Sequence, residues 1–133
     1  MQRPPLDHAW TLTDGHAGNV RQAHALAAAL GLPTHDWSLA ARAPWRWLAP
    51  RRVPGAASAF GGDFARQRAD VAAGSSLLAI GCGRQGALAT RLLRERGAHA
   101  VQILDPRIDA RHWDVVIVPN WMPGTVTAWR VAR

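Results

Sequence analysis

The chain reads as an α/β domain: a parallel sheet flanked by helices. Three observations predict this class. Short apolar runs alternate along the chain with stretches of helical spacing. The helical stretches are introduced by glycine turns, the pattern expected when each helix carries the chain back to start a parallel strand. Finally, 133 residues with 48% hydrophobic and 19% charged content suffice for one domain with a real core. Sheets of this kind place their ligand loops at the carboxyl ends of the strands. The loops beginning at Asp14, Gly81 and Asp105 are therefore the places to look for function.

Taken in order, residues 8–13 form the first strand, ending at the turn Thr13-Asp14-Gly15-His16-Ala17-Gly18-Asn19. A helix is expected from about Val20, because Val20, Ala23, Leu26, Ala27 and Leu30 recur at helical spacing and Gly31 supplies a stop. Residues 34–39, behind Pro33, predict a weaker second strand. Pro44, Pro50 and Pro54 break up the next stretch, so one helical turn over 45–48 is expected in an otherwise irregular segment. Residues 64–73 predict a helix, and 75–80, with Leu77, Leu78 and Ile80, a buried strand. Gly81-Cys82-Gly83-Arg84-Gln85-Gly86 is expected to break that strand, with a helix running from about Ala87 to Arg96 and stopped by Gly97. Residues 99–104 and 114–118 complete two more strands.

The charge composition excludes several chemistries. All 16 basic side chains are arginine, against nine acids and six histidines, for a net charge of +7. Without lysine there is no Walker-type phosphate lysine and no Schiff base. An anion must be held by arginine, histidine or backbone N–H groups. An arginine-only basic set among many alanines and glycines matches GC-rich coding, so the charge is a weak argument for nucleic acid, which is not assigned as a partner. One cysteine excludes a disulfide framework within one chain and a cysteine-built zinc site. The histidines show no paired-ligand spacing on a helix, so no metal site is expected. No apolar run approaches the roughly 20 residues of a membrane span, and no apolar segment follows the polar start of the chain. The expected compartment is the cytoplasm, with peripheral contact to the inner membrane as the variant.

Three constellations are candidates for chemistry. In the turn after the first strand, Gly15 and Gly18 allow close approach of a ligand, and the helix start offers N–H groups and a positive dipole end. Asp14 suits a sugar or other hydroxyl, and Asn19 suits either the ligand or the helix N-cap; a plain strand-to-helix turn fits equally. The second is the G-x-G-x-x-G of residues 81–86, with Asp105 about 20 residues on, where a dinucleotide fold places its ribose-binding acid. It follows the third strand rather than the first, and Asp105 sits in Asp-Pro-Arg, both of which count against NAD. Gly83, Arg84 and the adjacent N–H groups still suggest an anion. Cys82, beside Arg84 and a helix start, is either thiolate-prone or simply a small hydrophobe. The third is the arginine–tryptophan stretch Arg42, Trp45, Arg46, Trp47, Arg51 and Arg52. It suits nucleic acid, a membrane interface, or a loop that tucks its tryptophans onto the sheet edge.

Several of these blocks resemble the mitochondrial-fission "elongated mitochondria" family, whose bacterial members have been called nucleoside-diphosphate-sugar enzymes. The resemblance runs through residues 10–19 with Gln22, then residues 27–32, Pro44-Trp45 and Trp47-Leu48, and Gly83-Arg84. It continues over Val101-Gln102-Ile103-Leu104-Asp105-Pro106-Arg107 and Trp113-Asp114-Val115-Val116-Ile117-Val118-Pro119. It implies a Rossmann-like domain forming the N-terminal half of a glycosyltransferase-B-like architecture. It also implies a cleft between two domains lined by Asp14, Gly15, Gly18 and Asn19, with Gly83, Arg84 and Asp105 nearby. It assigns no catalytic residue, though Asp14 is the candidate, and names no cofactor.

The chain departs from the family at Cys82, where another small residue is usual, and after Pro119. There the family continues with Pro-x-His-Asp or similar, then a glycine-rich stretch. Read one base earlier, the codons of Asn120, Trp121 and Met122 encode Leu-Asp-Ala whatever synonyms are used, and a Pro119 codon ending in G puts Glu before them. The expectation is a Rossmann-like domain over residues 1–119 and a divergent, frameshifted tail over 120–133, with the second domain absent. Such a fragment would be inactive alone, while intact relatives would transfer a group from a nucleotide sugar or to a phosphorylated acceptor. The alternatives are a peripheral membrane or protein-interaction module using Trp45 and Trp47, and a small NAD-binding oxidoreductase.

Overall fold

The computed structural model describes residues 5–72, 75–104, 108–118 and 128–131. The chain runs β1 (His8–Thr13), α1 (Ala17–Leu30), β2 (Thr34–Ser38), α2 (Trp45–Leu48), α3 (Gly62–Ala69), β3 (Leu77–Cys82), α4 (Gly83–Arg94), β4 (His99–Ile103), β5 (Val115–Val118) and β6 (Ala128–Val131). Short 3-10 turns occupy Ala56–Ser58 and Ala110–His112. The sheet order is β2-β1-β3-β4-β5-β6. The first five strands are parallel, and β6 pairs antiparallel with β5. This is a doubly wound, Rossmann-like α/β sheet.

The middle of the sheet explains the near-continuous apolar run of β3. All six residues from Leu77 to Cys82 are buried, as a parallel strand covered on both faces requires. Alternate side chains serve opposite faces. Leu77 and Ala79 join Leu12, Phe64, Leu88, Leu92 and Leu93 in the core beneath α3 and α4. Leu78, Ile80 and Cys82 join Ala9, Ala23, Ala27 and Ile103 beneath α1. A third cluster seats Trp113, fully buried, against Ala87, Ala100 and Val116.

Several boundaries differ from the sequence expectation. Helix α1 starts at Ala17, ahead of the expected Val20, because Gly15 in the left-handed region (φ 88°) completes the turn within two residues of Asp14. Its N-cap is His16; Asn19 lies inside the first turn and is not the cap. Strand β3 does not break at Gly81 but runs through Cys82, and α4 begins at once at Gly83. Gly81 has to be glycine inside the strand: a Cβ there would lie 2.6 Å from the Gly86 carbonyl oxygen and 2.7 Å from Gln102 Oε1. Helix α3 ends at Ala69, short of residue 73. Strand β6 lies in the stretch expected to be a divergent tail. The rest of that tail falls outside the described residues, as does Asp105.

Candidate functional site

From β1 the chain crosses to β2 on one side, and from β3 it crosses to β4 on the other. The carboxyl ends of β1 and β3 therefore flank the point where the winding direction reverses, which is where open α/β sheets bind ligands. Two of the sequence-derived turns meet there. Helices α1 and α4 both start at this crevice, and neither has a side-chain hydrogen bond capping its N-terminus. Their first-turn N–H groups and positive dipole ends point the same way, an arrangement that favours an anion.

Asp14 is the hub of the first turn. Its Oδ1 accepts from the His16 N–H (3.1 Å) and from Asn19 Nδ2 (3.0 Å), while Oδ2 lies 2.9 Å from His16 Nδ1. Partial burial pushes its carboxyl up, but the His16 N–H, the Asn19 amide and the His16 ring together outweigh this and hold it below its ordinary value. A carboxylate held below its ordinary value is a weaker base than a free one. It is better suited to orienting a hydroxyl than to taking its proton. The second turn touches the first at Asn19, whose Nδ2 would lie 2.9 Å from a Cβ on Gly83. Gly18 is different: nothing lies within 4 Å of where its Cβ would be. Among the described glycines of the crevice (Gly15, Gly18, Gly81, Gly83 and Gly86), it alone leaves open space.

The remaining candidates are placed as follows. Cys82 is fully buried, and its thiol donates to Asn19 Oδ1 at 3.4 Å. Burial first, and the Asp14 charge second, push it up to about 11. The thiolate-favouring setting suggested by the neighbouring arginine is thus not realised, because Arg84 reaches the other way. Its Nε donates to the Ala49 carbonyl (3.1 Å), and Nη2 donates to the Trp47 (3.1 Å) and Ala49 (3.0 Å) carbonyls. Arg84 brings its charge to the first turn of α4, but those donors hold the arginine–tryptophan segment. That segment is split by the fold. Trp45 turns inward, with Nε1 donating to the Pro54 carbonyl, while Trp47 is 65% exposed.

One residue of the crevice was not singled out from the sequence. Gln102, 1% exposed, donates through Nε2 to the carbonyls of Gly83 (3.1 Å) and Ile103 (3.0 Å), fixing the β3–α4 junction from below. The signal was available: it is a glutamine in the middle of an apolar strand. Of the glycines in the G-x-G-x-x-G run, Gly86 lets α4 pack against the Leu12 carbonyl, the role of the third glycine in a dinucleotide fingerprint, and at Gly83, the position a pyrophosphate would approach, the Asn19 amide would lie 2.9 Å from a Cβ.

A second concavity of about 250 Å³ lies at the far end of α4, lined by Arg91, Arg94, Glu95, Gly97, Ala98 and His112. Its arginines are largely committed to the protein. Arg91 donates to the Pro50 carbonyl and meets His112 Nδ1, and Arg94 donates to Asp114 and the Arg111 carbonyl. It is a structural girdle rather than the site.

The fold is a doubly wound α/β domain with a crevice at its switch point. The family model for Mitochondrial fission ELM1 matches residues 17–121, and the chain belongs to that family. The match begins at the first residue of α1, so Asp14 and Gly15 stand just ahead of it. No curated protein and no solved structure matches the chain.

Proposed function

We propose that this chain is the N-terminal half of a two-domain, glycosyltransferase-B-like protein, and that its switch-point crevice receives the phosphate-bearing part of a nucleotide sugar or phosphorylated acceptor. The observation that carries this reading is the convergence of two helix N-termini without side-chain caps, α1 and α4, at the ends of adjacent strands, with open space beside Gly18. In a chain without lysine, backbone N–H groups are the natural phosphate ligands. Asp14, ionised and partly exposed, orients a hydroxyl of the sugar or acceptor. Arg84 supports the site by its charge and by holding the neighbouring segment. In a cleft formed between two domains, the described residues supply one wall, and transfer requires both.

The test is an amide NMR titration with uridine diphosphate and, separately, inorganic pyrophosphate. Shifts confined to residues 15–19 and 83–85 are expected, and Gly18→Val should weaken binding by about tenfold or more by filling the open space. Unmoved crevice amides at millimolar ligand would overturn the site. Sugar transfer by the chain alone would overturn its standing as half of a catalytic cleft.

A further inference from the structure

The segment between β2 and α3 is chemically one-sided. Residues 37–62 carry Arg42, Arg46, Arg51 and Arg52 and no aspartate or glutamate. Arg52 is tied to Glu95. Arg42, Arg46 and Arg51 are exposed and pair with no carboxylate among the described residues. At the tip, Trp47 is 65% and Leu48 38% exposed, and the Arg46 guanidinium sits 5.3 Å from the centre of the Trp47 ring. A tryptophan and a leucine facing water in a segment whose exposed charges are all arginine need a reason.

The backbone beneath them is unusual in a second way. Every carbonyl from Pro44 to Pro50 accepts a hydrogen bond. Those of Pro44, Trp45 and Leu48 accept from the N–H groups of Trp47, Ala49 and Arg51. The rest accept from side chains of α4: Arg46 from Gln85, Trp47 and Ala49 from Arg84, and Pro50 from Arg91. A surface loop in water does not need this, because water satisfies its carbonyls. A segment that leaves water does need it, since each unpaired carbonyl would oppose the transfer.

We propose that the Trp47–Leu48 tip is a docking site for an anionic lipid surface. Trp47 and Leu48 enter the boundary between headgroups and acyl chains, where tryptophan is favoured. Arg42, Arg46 and Arg51 lie against the phosphates above. The clamp from α4 holds the tip in its inserting shape before contact, so little conformational freedom is lost on binding. This inference is independent of the crevice reading: either stands if the other falls.

The experiment is co-sedimentation of the full chain with vesicles of phosphatidylglycerol and phosphatidylcholine, and with phosphatidylcholine alone. Binding to the anionic vesicles is expected, weakening steeply with salt above about 100 mM. Trp47→Ala with Leu48→Ser should reduce partitioning by about tenfold or more. Arg46→Gln with Arg51→Gln should reduce it comparably and flatten the salt dependence. All four positions are exposed, and an unchanged melting temperature in each variant confirms that the fold is kept. Absence of binding, equal binding to neutral vesicles, or binding indifferent to Trp47→Ala overturns the proposal. Self-association through Trp47 without vesicle binding also overturns it and assigns the tip to a protein contact.

Discussion

The carbonyl oxygen of Leu12 occupies the place a side chain on Gly86 would need: a Cβ there would lie 2.1 Å from it. Strand β1 and helix α4 are thus in backbone contact directly beneath the crevice. Gly86→Ala has to push the helix off the strand, and a loss of about 3 kcal/mol or more is expected in urea unfolding. Gly18→Ala is the control, placed in a helix with open space beside it, and should stabilise by roughly 0.5–1 kcal/mol. The opposite ranking would show that α4 does not lie on β1 as described.

The Cys82 thiol should behave as a buried apolar group. Its folded value of about 11 stands above the ordinary 9.0. The folded state therefore keeps a proton that the unfolded state gives up. Stability should fall as pH rises from about 9 towards 11. Cys82→Ala should flatten this alkaline limb, and a thiol reagent should label the wild type only at the rate of unfolding. Fast labelling of the native protein would refute the burial.

Asp14 acts at the other end of the pH scale. Its carboxyl is depressed, so its contribution is complete above the ordinary value of 3.8 and is lost as pH falls through the lower folded value. Asp14→Asn should therefore shorten the acid limb of the urea midpoint below about pH 4. Because the Asp14 charge is also one of the two influences raising Cys82, the same variant should lower the thiol value. An unchanged thiol titration would separate the two turns that the structure joins.

Thr90 and Trp113 make a fully buried pair, with the indole N–H donating to Thr90 Oγ1 at 2.8 Å. Thr90→Val keeps the shape but leaves that donor unpaired, and a loss of about 1–3 kcal/mol is expected. Thr90→Ser should recover most of it. Equal stability of the valine variant would mean that the indole finds another partner.

Arg84→Met should release the carbonyls of Trp47 and Ala49 while leaving α4 helical. Hydrogen exchange should quicken by about tenfold or more over residues 45–51 and stay slow in β3, because only the clamp is removed. Unchanged exchange would mean that the tip holds its shape without it.

What was legible in the sequence was what burial periodicity encodes. The apolar run of β3, the spacing from Val20 to Leu30 and the single turn over 45–48 all reappear as elements. Asp14 and the Gly83 turn could be nominated because strand ends are where α/β sheets bind. The destinations of long side chains were not legible. Arg84 reads as an anion ligand in a linear motif, yet the nearest acceptors in three dimensions are carbonyls 35 and 37 residues away. Glycines were ambiguous for a related reason. A missing side chain looks the same in sequence whether a ligand approaches, as space permits at Gly18, or a neighbouring carbonyl does, as at Gly86. Strand β6 was missed because its run is short and it pairs antiparallel with β5, outside the alternation of strand and helix that marks the parallel strands.

The position of β1 in the sheet has a consequence for how the molecule comes together. Strand β1 lies between β2 and β3, and its Leu12 faces α4. Its pairing with β2 forms soon after Thr34–Ser38 emerges. Its other edge and its α4-facing side have to wait for the distant segment Leu77–Arg94. No hairpin shortcut exists among five parallel strands. Nascent or proteolysed chains ending before α4 should therefore display a sticky apolar edge, and the order of assembly makes α4 the piece that commits the chain to its native state.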